Sequence, residues 1–277
     1  MNPTQYEHAL KFRQLNQQGE FLLANAWDCA SARVQVAEGF PALGTTSGGI
    51  AYARGFADAE LIGREAMVAE IARICAAVPV PVTADIEAGY GAAPEDVATT
   101  VRAVIAAGAV GINLEDRIHG QGQAAQFDAA LQAERLRAAR AAADGAPLWI
   151  NARIDSWLLG EGGDLEQRLA LTVARAQHYL AAGADMVFVP GLIDTVLLRR
   201  LADAIDGPLS VMVQPGAPSA AELFAAGARR VSLGVCPILA CMGQLRDIAR
   251  EARQNGRWQL LGERFYGFAE AEALQKR

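Results

Sequence analysis

The alternation of short apolar segments with alanine-rich helical segments constrains the fold of this chain more than any other feature of its sequence. Such a repeat is typical of βα units and a parallel sheet. The predicted strands are 21–27, 42–47, 82–87, 110–115, 148–153, 186–190, 209–213 and 230–234. The predicted helices are 29–39, 62–77, 94–107, 128–143, 164–182, 194–205, 218–226 and 236–254.

Eight strands followed by eight helices predict an α/β fold of the (β/α)8 TIM-barrel type. A doubly wound open sheet is the alternative, but the sequence has no Gly-x-Gly-x-x-Gly turn after its first strand. Asn255-Gly256 breaks the last helix, and 259–275 is predicted to form an extra C-terminal helix that packs on another subunit. We find no linker, so residues 1–277 are expected to form one barrel domain.

The composition of the chain excludes several classes of protein. With a net charge of −6 over 277 residues and no basic run, nucleic acid is not an expected partner. The apolar stretches are too short for a membrane span, and the N-terminus has no signal-peptide pattern. The four cysteines are scattered, without a Cys-x-x-Cys pair. These features favour a cytoplasmic location.

Lysine is scarce in this sequence. Among its 25 lysines and arginines only Lys11 and Lys276 are lysines, and both lie near the termini. Schiff-base aldol chemistry and pyridoxal phosphate both need a lysine at the site. The sequence therefore argues against both.

Charged side chains end three consecutive predicted strands: Asp85 with Glu87, then Glu115, then Arg153. Side chains alternate along a strand, so in each strand these polar residues share one face and meet at the carboxyl mouth of a barrel. Two unit charges about 4 Å apart repel by roughly 4 kcal/mol at an effective dielectric constant near 20. Arg153 alone cannot neutralise three carboxylates, so either some are protonated or a cation is bound.

The candidate metal ligands are Asp85, Glu87 and Glu115, with Asp58 on the long loop 47–61 as a fourth. An all-oxygen set without Cys or His favours Mg²⁺, or Mn²⁺, over zinc. Mg²⁺ keeps several waters, so some of these carboxylates are expected to act through water. The alternative is that each acid caps a helix or pairs with an arginine.

Two features are candidates for binding the substrate. Ser47-Gly48-Gly49 follows a strand without bulky side chains, so its backbone N–H groups are expected to face an anion, unless the segment is a plain turn. The planar fork of Arg153 suits a substrate carboxylate. The alternative partners of Arg153 are Asp116 and Asp155.

Three further side chains are site candidates. His119, on the loop after the fourth strand, has an ordinary pKa near 6.5 that suits proton transfer, although it can also be a solvated loop histidine. Trp27 ends the first strand and is expected to form a wall of the site. Asn151 shares the inward face of its strand with Arg153.

Several motifs together carry a resemblance to a known superfamily. They are Asn25–Arg33, Thr46–Gly49, Ala84–Gly91, Asn113–Asp116 and Asn151–Asp155, and the segments 183–188, 216–219 and 231–234 add to them. In these motifs the chain resembles the isocitrate lyase/phosphoenolpyruvate mutase superfamily.

The resemblance implies a (β/α)8 barrel whose C-terminal helix is exchanged between subunits of a homodimer or homotetramer. It implies Mg²⁺ at Asp85, Glu87 and Glu115, with Asp58 acting through water. A 2-oxo acid substrate would sit on the metal, with its carboxylate at Ser47–Gly49 and Arg153 close by. Members of the superfamily cleave or form C–C or P–C bonds next to a 2-oxo carboxylate through a metal-stabilised enolate.

The loop after the fourth strand departs from both branches of that superfamily. The lyase branch carries a Lys-Lys/Arg-Cys-Gly-His loop there, whereas this chain reads Arg117-Ile118-His119-Gly120-Gln121-Gly122-Gln123. Arg117 stands where the phosphonate branch has a lysine. The chain is thus identified as a divergent member.

The leading hypothesis is an Mg²⁺-dependent carbon–carbon lyase or hydrolase acting on a small 2-oxo or 2-hydroxy (di)carboxylate, of the size of oxaloacetate or 2-oxoglutarate. A second hypothesis is P–C bond chemistry, as a phosphonopyruvate mutase or hydrolase. A third is a non-catalytic protein that binds 2-oxo acids.

Overall fold

The computed structural model describes residues 1–120 and 125–276. Within them, parallel strands close into a barrel in the order β1-β2-β3-β4-β7-β8-β9-β10, with β10 pairing with β1, so the predicted (β/α)8 barrel is confirmed. The barrel strands are β1 Phe21–Ala26, β2 Leu43–Thr45, β3 Val82–Asp85, β4 Gly111–Glu115, β7 Trp149–Arg153, β8 Met186–Phe188, β9 Leu209–Met212 and β10 Arg230–Ser232.

Helices surround the barrel, and each predicted helix is present with slightly different ends. They are α2 Cys29–Ala37, α4 Arg64–Ala77, α5 Pro94–Ala106, α6 Ala129–Ala142, α8 Leu165–Ala181, α9 Thr195–Ala204, α10 Ala220–Ala225 and α11 Cys236–Asn255. Five elements were not predicted: α1 Pro3–Gln18, α3 Ser47–Ala53, α7 Ser156–Leu159 and the strands β5 Arg117–Ile118 and β6 Ala125–Gln126.

Short polar side chains begin most of these helices. Asp28, Asp164, Asp194 and Ser219 each accept a hydrogen bond from a backbone N–H group in the first turn of α2, α8, α9 and α10. These N–H groups have no partner inside the helix, so the caps stabilise its start. At these helices the sequence thus sets where the chain turns from strand into helix.

The strands bury apolar side chains on their outer face, under the helices. Ala84, Ile112, Ile150, Val187 and Val231 are fully buried in the main hydrophobic core. The alternate residues point into the barrel. The charged strand ends therefore face the interior at the carboxyl mouth.

Helix α1 closes the opposite, amino-terminal end of the barrel. Phe12 is fully buried in a second apolar cluster with Phe21, Trp149 and Met186. Arg13 pairs with Asp185 at 3.2 Å. The floor of the barrel is therefore packed.

Two predictions about element ends were wrong. Residues 259–275 form two helices, α12 Gln259–Glu263 and α13 Phe268–Gln275, and Gly267, with a φ of 80°, is the residue before α13. Helix α13 packs on α2, with Leu274 buried. The third strand ends at Asp85, so Glu87 lies beyond it, with a φ of 50°.

No helix within the two described ranges is both long enough and apolar enough to cross a membrane.

Candidate active site

The carboxyl ends of β3, β4 and β7 bring the predicted charged residues together. Asp85 is in register with Asn113, and Glu115 is in register with Arg153 on the next strand. Glu115 is 3% exposed. The structure therefore joins Asp85, Glu115 and Arg153 at the barrel mouth, as side-chain alternation predicts.

Arg153 is held by two carboxylates. Its Nε and Nη2 donate to the two oxygens of Asp155 at 2.6 and 2.9 Å, and its Nη1 lies 2.7 Å from Glu115 Oε2. The pairing with Asp155 is one of the alternatives that the sequence left open. A bidentate pair fixes the guanidinium in one orientation at the site.

His119 lies in the site and not in solvent. Its side chain is 9% exposed, and Nε2 lies 2.6 Å from Glu115 Oε1. Burial alone would lower the pKa of His119, but the hydrogen bond to Glu115 and the surrounding carboxylates raise it above its ordinary value. His119 follows directly after β5, which pairs with β6. The rest of the predicted loop, residues 121–123, lies outside the described part of the chain.

Ser47 binds a carboxylate of the protein itself. Its N–H and its hydroxyl donate to Asp85 Oδ2 at 3.0 and 2.8 Å. The N–H of Gly49 donates to Thr46 Oγ1 at 3.3 Å, which caps α3. The predicted anion-binding segment thus already binds a carboxyl group of the protein, that of Asp85.

Glu87 is buried and bonded on both oxygens. Oε2 accepts from the backbone N–H groups of Ala59 and Glu60 at 3.0 and 2.6 Å, and Oε1 accepts from the Tyr90 hydroxyl at 2.9 Å. These bonds connect the end of β3 to the loop that carries Asp58.

Asp58 is exposed and reaches the mouth beside Gly48. A Cβ atom at position 48 would lie 3.1 Å from Asp58 Oδ2. Gly48 therefore allows this carboxylate to approach the start of α3.

The mouth holds more negative than positive charge. Burial raises the pKa of Asp85, and burial together with Asp58 raises the pKa of Glu87 to about 8. Burial raises the pKa of Glu115 to about 7, although Arg153 opposes the shift. Within residues 1–120 and 125–276, no group of three or more His, Cys, Asp or Glu side chains is positioned to hold a metal ion as it stands.

The chemistry of this set nevertheless fits a hard divalent cation. The donors are carboxylate oxygens, and Asp85, Glu87 and Glu115 outnumber Arg153, which pairs with Glu115. Burial is the first cause of their raised pKa values, and a bound cation would oppose that shift. Mg²⁺ keeps several of its waters, so carboxylates near it need not all touch it. The residues present therefore fit Mg²⁺ by donor type and by charge.

Two predicted substrate contacts lie at different depths. Asn151 is fully buried, two residues before Arg153 on β7, and its Nδ2 donates to Asn113 Oδ1 at 2.7 Å. Trp27 lies at the mouth, where its Cβ is 3.0 Å from a Cβ placed on Gly49. Trp27 is thus positioned as a wall of the mouth, whereas Asn151 lies deeper, inside the barrel.

Sequence reasoning missed Tyr90 and Glu60, which complete the site together with Asp155, the main partner of Arg153. Asp155 was considered only as an alternative, although its spacing of two from Arg153 pointed to it. Nothing local in the sequence signals that Tyr90 and Glu60 meet, because 30 residues separate them.

A closed parallel barrel with this mouth defines a protein of the TIM-barrel class. The sequence model of the phosphoenolpyruvate phosphomutase family matches residues 12–253. The chain therefore belongs to the phosphoenolpyruvate mutase/isocitrate lyase superfamily, as its motifs predicted.

Relatives cover most of the chain. An uncharacterized protein of Mycobacterium tuberculosis (strain H37Rv) is 36% identical over 87% of this chain and 88% of its own length. An oxaloacetate decarboxylase of Chromohalobacter salexigens is 30% identical over 91% and 87%. A crystal structure of a provisionally assigned lyase/mutase from Burkholderia cenocepacia J2315 has a TM-score of 0.91 and 35% identity, covering 99% of this chain and 98% of that one.

Other matches carry names of lyases, mutases and hydrolases of small carboxylates. One of them, a phosphonopyruvate hydrolase solved with oxalate and Mg²⁺, is 21% identical with a TM-score of 0.85 over 97% of this chain and 95% of its own. At that identity the likeness shows the shared fold.

Proposed function

We propose that this protein is an Mg²⁺-dependent enzyme that cleaves a carbon–carbon bond in a small 2-oxo or 2-hydroxy dicarboxylate. One observation carries the proposal: an excess of buried carboxylates at the barrel mouth lies beside a histidine that is bonded to one of them. Excess carboxylate charge attracts a cation, and the histidine can move a proton.

The names of relatives support the same reaction class. A 2-methylisocitrate lyase of Escherichia coli is 30% identical over 62% of this chain, and the oxaloacetate decarboxylase is 30% identical over 91%. Loss of a carboxyl group and lyase cleavage both break a carbon–carbon bond.

We assign the metal to the mouth carboxylates. Asp85, whose two hydrogen bonds from Ser47 both end on Oδ2, is the candidate for direct contact through Oδ1. Glu115 and Glu87 have protein partners on both oxygens, and they and Asp58 are candidates for contact through water. Bound there, Mg²⁺ would polarise the 2-oxo group of the substrate.

The other groups of the site are candidates for transferring a proton and for binding a charged group of the substrate. His119 Nε2 lies 2.6 Å from Glu115 Oε1, where the two groups can share a proton, so this pair is the candidate acid or base. Arg153, kept in one orientation by Asp155, is the candidate for binding a substrate carboxylate. Trp27 and the segment Ser47–Gly49 line the space between them.

The experiment is a turnover assay with purified protein and oxaloacetate, substituted malates or substituted citrates. We expect cleavage of at least one of them, lost in EDTA and restored by Mg²⁺ or Mn²⁺. Turnover that EDTA leaves unchanged, or no turnover of any of them, contradicts the proposal.

Asp85→Asn tests the metal assignment within that assay. It removes the charge while its amide oxygen can still accept from Ser47, so we expect an intact barrel by circular dichroism and turnover lower by about 10³-fold or more. Asp203→Asn, on the exposed side of α9, is the matched control and should behave as wild type.

A second candidate function is P–C bond cleavage or rearrangement of phosphonopyruvate. The match to the phosphoenolpyruvate phosphomutase family favours it. Phosphorus NMR of phosphonopyruvate incubated with the enzyme and Mg²⁺ separates the two, since only this candidate consumes it.

We further propose that the protein is a homo-oligomer whose interface includes α11 to α13. Only Ile238 is buried in the 20 residues of α11. Leu245, Trp258 and Phe268 are 66%, 68% and 82% exposed. Large apolar side chains exposed on neighbouring elements are typical of an interface.

A further inference from the structure

Two loops at the barrel mouth are joined by a reciprocal set of hydrogen bonds. Glu87, just after β3, accepts from the backbone N–H groups of Ala59 and Glu60. The Glu60 carboxylate in turn accepts from the backbone N–H of Tyr90. The Tyr90 hydroxyl donates to the other oxygen of Glu87. Each loop therefore supplies both donors and acceptors to the other.

The backbone at these residues is left-handed. Ala59, Glu60, Glu87 and Tyr90 have φ values of 103°, 62°, 50° and 61°. Residues other than glycine rarely adopt such angles and keep them only where their surroundings impose them. At Ala59 and Glu60 this conformation turns two successive N–H groups toward one point, which is an anion-binding arrangement. The Glu87 carboxylate, 2% exposed, occupies that point.

The arrangement fixes the residue that precedes Ala59. Asp58 is exposed, and it has a defined position beside Gly48 at the mouth. Three of the about four lone-pair positions of the Glu87 carboxylate accept these hydrogen bonds. Glu87 Oε2 is thus bonded to the loop that carries Asp58, and Oε1 is bonded to Tyr90 of Glu87's own segment.

We propose that Glu87 is a positioning residue that holds the loop carrying Asp58 at the barrel mouth. The inference rests on the proposed function only where it concerns the metal, because Asp58 is there a candidate contact of Mg²⁺ through water. Its structural part, the attachment of loop 54–63 to the end of β3, does not depend on any activity.

Hydrogen exchange of the metal-free protein tests the structural part. In Glu87→Ala the amides of Ala59 and Glu60 lose their acceptor, and we expect the peptide that contains them to exchange about tenfold faster or more. Glu87→Gln keeps an acceptor oxygen in the same place, so its exchange should stay within about twofold of wild type. Unchanged exchange in Glu87→Ala overturns the proposal.

Tyr90→Phe is the second variant, in case Glu87→Ala fails to fold. It removes one donor to Glu87 and alters no carboxylate. We expect faster exchange in the same peptide, and unchanged exchange there contradicts the proposal. Tyr52→Phe, which removes an exposed hydroxyl on the neighbouring α3, is the matched control.

Binding of Mn²⁺, followed by electron paramagnetic resonance, tests the role toward the metal. We expect Asp85→Asn to weaken binding by more than about 100-fold, Glu87→Ala by about tenfold through Asp58, and Glu87→Gln by less than about threefold. Glu87→Gln weakening binding as much as Asp85→Asn, with unchanged exchange, overturns the proposal. If wild type binds no Mn²⁺, the proposed function fails, while exchange still decides the attachment of the loop.

Discussion

Individual carboxylates set the charge balance at the mouth of the barrel. Glu87 and Glu115 are almost fully buried, and their pKa values rise to about 8 and about 7 from an ordinary value of 4.5. A raised pKa means that the folded state binds protons more tightly than the unfolded state. The stability that such a group contributes is therefore fully present below about pH 4.5 and is lost as the pH rises through the folded pKa.

For the metal-free protein we predict a pH-dependent contribution of Glu87 to stability. The free energy of unfolding of wild type minus that of Glu87→Gln should fall as the pH rises from about 5 to about 9, because only wild type must ionise this buried group. Urea unfolding in EDTA at a series of pH values measures it. A difference that stays constant or grows over that range contradicts the prediction.

Substitution of His119 should lower turnover while substrate binding changes little. His119→Ala removes the group that shares a proton with Glu115, so we predict that kcat falls by about 10²–10⁴-fold while KM changes little. Steady-state kinetics on the substrate found in the turnover assay measure both. His178→Ala, on the exposed face of α8, is the control. Wild-type kinetics for His119→Ala would remove this residue from the mechanism.

Among elements, the ends of β4 and β7 are connected through the buried Asp116. Its Oδ1 accepts from the Asp155 N–H and from Gln126 of β6, at 3.0 and 2.8 Å. Its Oδ2 accepts from Arg175 and Tyr179 of α8, at 3.2 and 2.8 Å. One carboxylate thus joins two barrel strands, an outer helix and the segment that carries His119.

Tyr179→Phe should therefore destabilise the protein. It deletes a donor to a fully buried carboxylate, and we predict a loss of about 1–2 kcal/mol in the free energy of unfolding, measured by urea denaturation. Tyr6→Phe removes a hydroxyl from the exposed side of α1 and should change stability little. Equal effects of the two substitutions would contradict this role of Asp116.

The barrel strands were predictable because each one buries apolar side chains on one face. The inward meeting of Asp85, Glu115 and Arg153 followed from the same alternation. Helix α1 was not predicted, since only Ala9, Phe12 and Asn16 of its 16 residues are buried and the helical pattern is weak. The position of Glu87 was not predictable either, because strand alternation stops at Asp85 and N–H groups of the distant loop 54–63 hold the Glu87 carboxylate.

For the whole molecule we predict an assembly that depends on α11. Leu239→Glu combined with Leu245→Glu places charge on two exposed apolar positions of that helix. Light scattering should show wild type at twice the mass of one chain or more, and the variant at the mass of one chain. Val196→Glu, at a 67% exposed apolar position of α9, should leave the assembly intact. A wild type that is already monomeric contradicts the proposed interface.

The positions of the two lysines, relative to the packed amino-terminal end of the barrel, decide how the protein can be attached to a surface. Lys11 is exposed on α1, and Lys276 is exposed at the end of α13, next to Leu274, which lines the same groove as Val78 and Pro79 before β3. Both therefore lie toward the end of the barrel away from the mouth. Coupling to a sensor surface through lysine amines would anchor each chain by that end and leave the carboxylate-lined opening facing the solution.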